Sequence, residues 1–183
     1  MTNRLKKTVV LVGMMGAGKS AVGRALADRL HVPFMDSDEE IERAAAMSIP
    51  EIFERDGEAF FRARESEVIS RLVKTNGAIL STGGGAFLQE RNREVITTSG
   101  VSLWLDAELQ TLWNRVRHKT TRPLLRTKNP RKTLEEIYNA RVPVYAKADL
   151  RVPSEPRQSI DRMVDKVIET LKQRPDVLET CDD

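Results

Sequence analysis

The chain has 183 residues, with 30 Lys and Arg against 27 Asp and Glu, 40% hydrophobic and 5% aromatic residues, and a single cysteine. One domain of that length buries a real core without staples, since domains cluster at roughly 100 to 200 residues, and Cys181 alone excludes an intramolecular disulfide or a cysteine-cluster metal site. No stretch approaches the about 20 apolar residues that cross a bilayer.

The start, Arg4-Leu5-Lys6-Lys7 before the apolar run Val9 to Met15, imitates a secretion signal. Lys19 interrupts the run and no small-x-small site ends it, so a retained start and a cytoplasmic protein are expected. Thr8 to Val12 reads as a buried strand ending at Gly13, and Lys19 to Leu30 as a helix with Val22, Leu26 and Leu30 on one face. Pro33 to Met35 is a second short strand and Asp38 to Met47 a helix. Ser48 is placed to cap another helix, with Pro50 and Glu51 in its first turn. Gly57 to Lys74 reads as a longer helix, and Ala78 to Ser81 as a strand running into Gly83-Gly84-Gly85. Val101 to Leu105 is a fourth strand, Ala107 to His118 a helix, Leu134 to Tyr145 a helix, Asp149 to Val152 a last strand and Gln158 to Lys172 the final helix. Five short strands alternating with helices predict an α/β fold, a three-layer α/β/α sandwich around a five-stranded parallel sheet, with ligands at the carboxyl ends of the strands. The single domain is expected to span 1–172, and 173–183, which lacks periodicity, to be a flexible acidic tail.

Charge is uneven along the chain. From Leu109 to Leu134 there is no acid, while Arg115, Arg117, Lys119, Arg122, Arg126, Lys128, Arg131 and Lys132 contribute +8, leaving the rest at −5 of the net +3. One basic segment on a mildly acidic body points to an anion handled locally, rather than to a surface coated for polyanions.

Gly13-Met14-Met15-Gly16-Ala17-Gly18-Lys19-Ser20 matches G-x-x-x-x-G-K-[ST] between a strand and a helix. Glycines let backbone N–H groups curl inward, and the helix starting at Lys19 adds its positive dipole end, so triphosphate oxygens are held largely by main chain. Lys19 reaches the β and γ phosphates in this arrangement, and Ser20 suits Mg²⁺, which takes few protein ligands. A GTPase would carry [NT]-K-x-D, but the nearest match is Ala146-Lys147-Ala148-Asp149, whose alanine makes no amide contact. A nucleic-acid motor needs more chain and more aromatic stacking platforms. A small-molecule kinase survives.

Asp36 and Asp38 follow the second strand, where residues two apart in an extended chain project to one side. The pair suits a hydroxylated phosphoryl acceptor and Mg²⁺; with Glu39 and Glu40 it equally suits the acidic start of a helix. Three glycines after a strand point to close approach of backbone and ligand. Arg141 has no acid at helical spacing, Arg62 has Glu58 and Glu65 for a surface ion pair, and Arg122, held extended by Pro123, is placed to act from a lid over a triphosphate. Asp106, ending an apolar strand, competes with Asp36 as the magnesium partner.

The ordered set formed by residues 13–20, Asp36-Ser37-Asp38, Gly57-Glu58-x-x-Phe61-Arg62-x-x-Glu65, Gly83 to Gly85, Arg122-Pro123-Leu124-Leu125 and Arg141 to Tyr145 resembles the shikimate kinases of the nucleoside-monophosphate-kinase-like branch. The resemblance implies transfer of the γ-phosphoryl of ATP to the 3-hydroxyl of shikimate, with a substrate-binding helical region at about 37–65 and a lid at about 116–130. It implies that Gly13, Met15, Gly16, Ala17, Gly18, Lys19, Ser20 and Ala21 serve ATP, that Ser20 and Asp36 serve Mg²⁺, and that Asp38, Arg62, Gly83, Gly84, Gly85 and Arg141 hold shikimate. Lys19, Asp38 and Arg122 become the catalytic set. Arg115, or Arg117 in its place, and Pro156 fall where the family sandwiches adenine. A monomer binding neither nucleic acid nor membrane is expected.

Overall fold

The computed structural model describes residues 2–119 and 126–181. Strands β1 (Thr2–Leu5), β2 (Thr8–Val12), β3 (Phe34–Asp36), β4 (Ile79–Ser81), β5 (Gly100–Ala107), β6 (Leu150–Ser154) and β7 (Leu178–Cys181) alternate with helices α1 (Lys19–Leu30), α2 (Ser37–Ala45), α3 (Ile49–Val73), α4 (Glu90–Ser99), α5 (Leu109–Val116), α6 (Pro130–Tyr145) and α7 (Ile160–Leu171). Five strands form one parallel sheet in the order β3-β4-β2-β5-β6. Every residue of β2 and β4 is buried. Successive strand side chains face opposite ways, so helices must cover both faces of these central strands. The expected three-layer architecture is present.

The run that imitates a secretion signal is the middle strand of this sheet. Val9, Val10 and Leu11 are fully buried, paired with β4 on one side and β5 on the other. α1 follows with Val22, Leu26, Ala27 and Leu30 inward, and it packs on α7. α3 and α4 pack on each other.

Ser48 caps α3 by accepting from the Glu51 N–H, as expected. The helices read separately from Ser48 and from Gly57 run on as α3, broken at Gly57, whose φ of 84° and ψ of 170° are not helical. α6 starts earlier than expected, at Pro130, because Asn129 caps it through Lys132 N–H. The short 3-10 turn Ala86–Leu88 and α4 occupy a stretch for which no element was expected.

The tail expectation fails. Leu178–Cys181 pairs antiparallel with Thr2–Leu5, with Leu5 opposite Leu178, both buried, and Lys6 to Glu179 at 3.2 Å on the outside. Burial of those two leucines ties the ends together, and a partner some 170 residues away leaves no local signal. Arg122, with residues 120–125 of the expected lid, lies outside the described residues.

Candidate active site

Two cavities open at the carboxyl ends of β2, β3 and β4. The first, about 740 Å³, is walled by Met15 to Val22, Asp36, Asp38, Ser81 to Gly84 and Arg115, and closed at its far end by Ser154, Gln158, Ser159, Ile160 and Met163. The second, about 650 Å³, is walled by Ile49, Pro50, Phe53 and Phe61 on its apolar side and by Glu58, Arg62, Glu65, Gly83 to Gly85 and Arg141 on its polar side. Met15, Asp38, Gly83 and Gly84 belong to both.

In the first cavity the turn from β2 to α1 is made by glycine geometry. Gly18 caps α1 with φ 91° and, lacking a side chain, offers no capping oxygen to the first helical N–H groups. Those donors and the helix dipole form an anion cradle. The Lys19 ammonium donates to the carbonyls of Gly13 at 2.6 Å and Met14 at 3.0 Å, which lays the side chain along the cradle. Gly13 contributes that carbonyl but does not itself line the cavity. Arg115 donates to the carbonyl of Gly16 at 3.0 Å and lines the cavity. Arg117 is exposed and does not. Pro156 is exposed and away from the wall; Ser154, Gln158 and Ile160 stand where it was expected.

The Asp36 carboxylate does two things at once. Oδ1 accepts from the N–H groups of Asp38 and Glu39, capping α2. Oδ2 takes the Ser20 hydroxyl at 3.3 Å. The helix-cap reading of this residue therefore holds on one oxygen, and the other faces Ser20 on the cavity wall. The reason expected for the pairing with Asp38 does not hold, because Asp38 lies in the first turn of α2 rather than on an extended segment. Asp106 turns elsewhere: Arg151 grips its Oδ2 through Nη2 at 2.6 Å and Nε at 2.7 Å, and Asp106 lines neither cavity.

The triple glycine makes room for charged side chains. A Cβ at Gly83 would stand 3.0 Å from Asp38 Oδ1, one at Gly84 2.9 Å from Arg141 Nη1, and one at Gly85 2.7 Å from Arg62 Nη1. The three residues expected to hold the acceptor thus rest on three consecutive glycines. None of these glycines needs a positive φ. The tyrosyl O–H of Tyr145 donates to the carbonyl of Gly84 at 2.6 Å and steadies the strip.

Arg62 does pair with both glutamates, but its shorter pair is buried and only the longer one reaches the surface. Its Nη1 lies 2.8 Å from Glu65, which is 1% exposed, and its Nε 3.6 Å from Glu58, which is 70% exposed. Burial pushes the Glu65 carboxyl up, while Arg62, Arg141 and Arg91 pull it back. Arg141 has no acid at helical contact spacing on its own helix, and its charge acts on Glu65 of α3 instead. Sequence reading made Glu65 only a surface partner of Arg62 and assigned Tyr145 no role of its own; both stand against the second cavity's side chains. An acid flanked by the buried Phe61, Val68 and Ile69 was the available signal. Burial, with the carboxylates of Asp36 and Glu65, pushes the Asp38 carboxyl up to about 6, against a smaller pull from Lys19.

A phosphate cradle that shares a wall with a pocket carrying two guanidiniums and a carboxylate describes a small-molecule kinase. The family model for shikimate kinase matches residues 15–172. This chain belongs to the shikimate kinase family. Among curated shikimate kinases it is 68% identical to that of Ruegeria pomeroyi, over 96% of this chain and 90% of the relative, and 63% identical to that of Cereibacter sphaeroides, over 97% and 88%. A solved shikimate kinase from Acinetobacter baumannii, in complex with shikimate, superposes with a TM-score of 0.86 at 36% identity, covering 92% of this chain and 94% of that one. Shikimate kinases are ATP-dependent phosphotransferases, and the parallel sheet with its glycine-rich first turn is the scaffold such chemistry uses.

Proposed function

We propose that this chain transfers the γ-phosphoryl of ATP to the 3-hydroxyl of shikimate, with ATP in the first cavity, shikimate in the second and Asp38 on the wall between them. The observation that carries this reading is the convergence of Arg62, Arg141 and Asp38 on the three glycines. Shikimate is a monoanion bearing several hydroxyls. It needs guanidiniums against its carboxylate, for which Arg offers a planar fork, and a carboxylate against its hydroxyls. The apolar wall of Phe53 and Phe61 faces the ring.

With a proton affinity set near 6, the Asp38 carboxylate is mostly ionised at neutral pH yet basic enough to orient the attacking hydroxyl and accept its proton. Lys19 leaves its carbonyl partners for the β and γ phosphate oxygens, and Arg115 lies over the base. Arg122 serves as the lid arginine in this reading. Ser20 and the Oδ2 of Asp36 offer the hard oxygen donors that Mg²⁺ prefers, 3.3 Å apart on the cavity wall. Those two residues would hold the ion, which supplies neutralising charge to the phosphates when bound. Otherwise catalysis is positioning and charge stabilisation. We read the protein as a cytoplasmic monomer. Support comes from the absence, among the described residues, of any helix long and apolar enough to cross a membrane, and from the large apolar side chains, of which Phe60 and Ile160 are the exposed ones among the described residues.

The test is ADP release with shikimate, gluconate and AMP offered in parallel at equal concentration. Turnover with shikimate at least tenfold above the others is expected. Equal or faster turnover with gluconate or AMP overturns the assignment.

A further inference from the structure

We propose that Arg91, Asn92 and Arg93, in the first turn of α4, are positioning residues for the acceptor, a role that rests on the shikimate reading above. None of the three lines the acceptor cavity, yet each donates a side-chain hydrogen bond to the backbone that builds it. Asn92 Nδ2 donates to the carbonyl of Ala86 at 2.9 Å, Arg93 Nη1 to that of Phe87 at 2.7 Å, and Arg91 Nη2 to that of Arg62 at 3.2 Å.

The carbonyls of Ala86 and Phe87 matter because they belong to the turn that holds the glycines. The Ala86 N–H donates to Gly83 O at 3.1 Å and the Leu88 N–H to Gly85 O at 3.2 Å, so the 3-10 turn is the immediate anchor of the glycine strip. Three consecutive glycines have no side chains to fix their own backbone, and they carry the largest conformational freedom of any residue. Their positions must be imposed from outside. Tyr145 holds the middle one from α6, and α4 holds the two ends through the turn. Asn92 is 2% exposed, a costly place for an amide unless its hydrogen bonds are needed there. The Arg93 guanidinium also lies over the Phe87 ring, 6.0 Å from its centroid. Arg91 grips the carbonyl of the arginine that meets the acceptor, and its charge also reaches Glu65, the buried partner of that arginine.

A mere helix brace would affect both substrates alike, or only stability. A positioning role predicts loss confined to the acceptor. Arg93→Met keeps the aliphatic stem on Phe87 and removes the donor; Arg93→Lys restores a donor. Asn92→Asp keeps the size and removes the Nδ2 donor. In the full chain, with shikimate and ATP varied in turn, Arg93→Met is expected to raise the shikimate KM about three- to tenfold, the worth of one ordinary hydrogen bond. The ATP KM and the melting temperature should stay near wild type, and Arg93→Lys should recover most of the loss. Should Asn92→Asp fold poorly, the Arg93 pair still decides. A shikimate KM unchanged in Arg93→Met, or both KM values rising together, overturns the proposal. If the wild type prefers another acceptor, the function reading falls by itself, and the same KM ratio measured with that acceptor still tests the positioning role.

Discussion

The two glycine-rich strand exits use one residue type for different physical ends. At the end of β2, Gly13, Gly16 and Gly18 adopt φ of 143°, 81° and 91°, and the gain is a backbone curled with its donors inward. At the end of β4, Gly83 to Gly85 keep ordinary backbone angles, and the gain is the space where a Cβ would be, filled by Asp38, Arg141 and Arg62. In the proposed reading the first exit recognises its ligand with main chain and one lysine from within the motif. The second recognises nothing by itself, and borrows its chemistry from α2, α3 and α6.

The largest effect that distinguishes the exits is expected at Asp38. Asp38→Asn should lower kcat by about 10² to 10⁴, the usual weight of a general base, with the ATP KM little changed. The same variant should be more stable at neutral pH. The folded protein holds this carboxyl at about 6, above its ordinary 3.8, so ionisation costs stability increasingly as pH rises from about 4 and fully above 6. The gain in melting temperature of Asp38→Asn should therefore be present at pH 7.5 and gone by pH 4. A melting temperature at pH 7.5 below wild type would contradict the burial argument.

Paired glycine substitutions sharpen the comparison directly. Gly85→Ala introduces no backbone strain but drives a methyl into the Arg62 guanidinium, so the shikimate KM should rise on the order of ten- to hundredfold, the range for a charge-assisted contact. The ATP KM and stability should barely move. Gly18→Ala is the mirror image. Its Cβ would meet nothing closer than Val22 at 3.7 Å, but the positive φ costs about 1 to 2 kcal/mol, read as a lower melting temperature and a weaker ATP KM with shikimate binding spared. Identical kinetic profiles for the two variants would erase the distinction. The smallest effect is on pH dependence: kcat/KM for shikimate should fall with decreasing pH along a limb centred near 6, the proton affinity of Asp38 in the free enzyme. A limb centred near 4 would remove Asp38 as the base.

What was legible in the sequence was local. The phosphate cradle is eight consecutive residues in strand–turn–helix context, and the parallel sheet follows from buried runs and helical spacings that each lie within one element. Ser48 as a cap and Ser20 and Asp36 at one cavity follow the same logic. The side chains of the second pocket were legible only as a set resembling a known family, because no spacing rule relates residues 38, 62, 85 and 141. Their charges, taken separately, also fit a helix cap and a surface ion pair.

Tertiary structure decided the rest, wherever the deciding neighbour was far along the chain. It turned the supposed frayed end into β7, since Leu178 needs Leu5 to be buried. It drew Asp106 to Arg151 and so away from both cavities, placed Arg115 rather than Arg117 on the cavity wall, and set Glu65 behind Arg62. Backbone conformation is dictated by the residues next in line and is written in short motifs. Burial and electrostatic partnership arise only when the chain closes on itself, and that closure is what lifts an ordinary carboxylate such as Asp38 above its usual range.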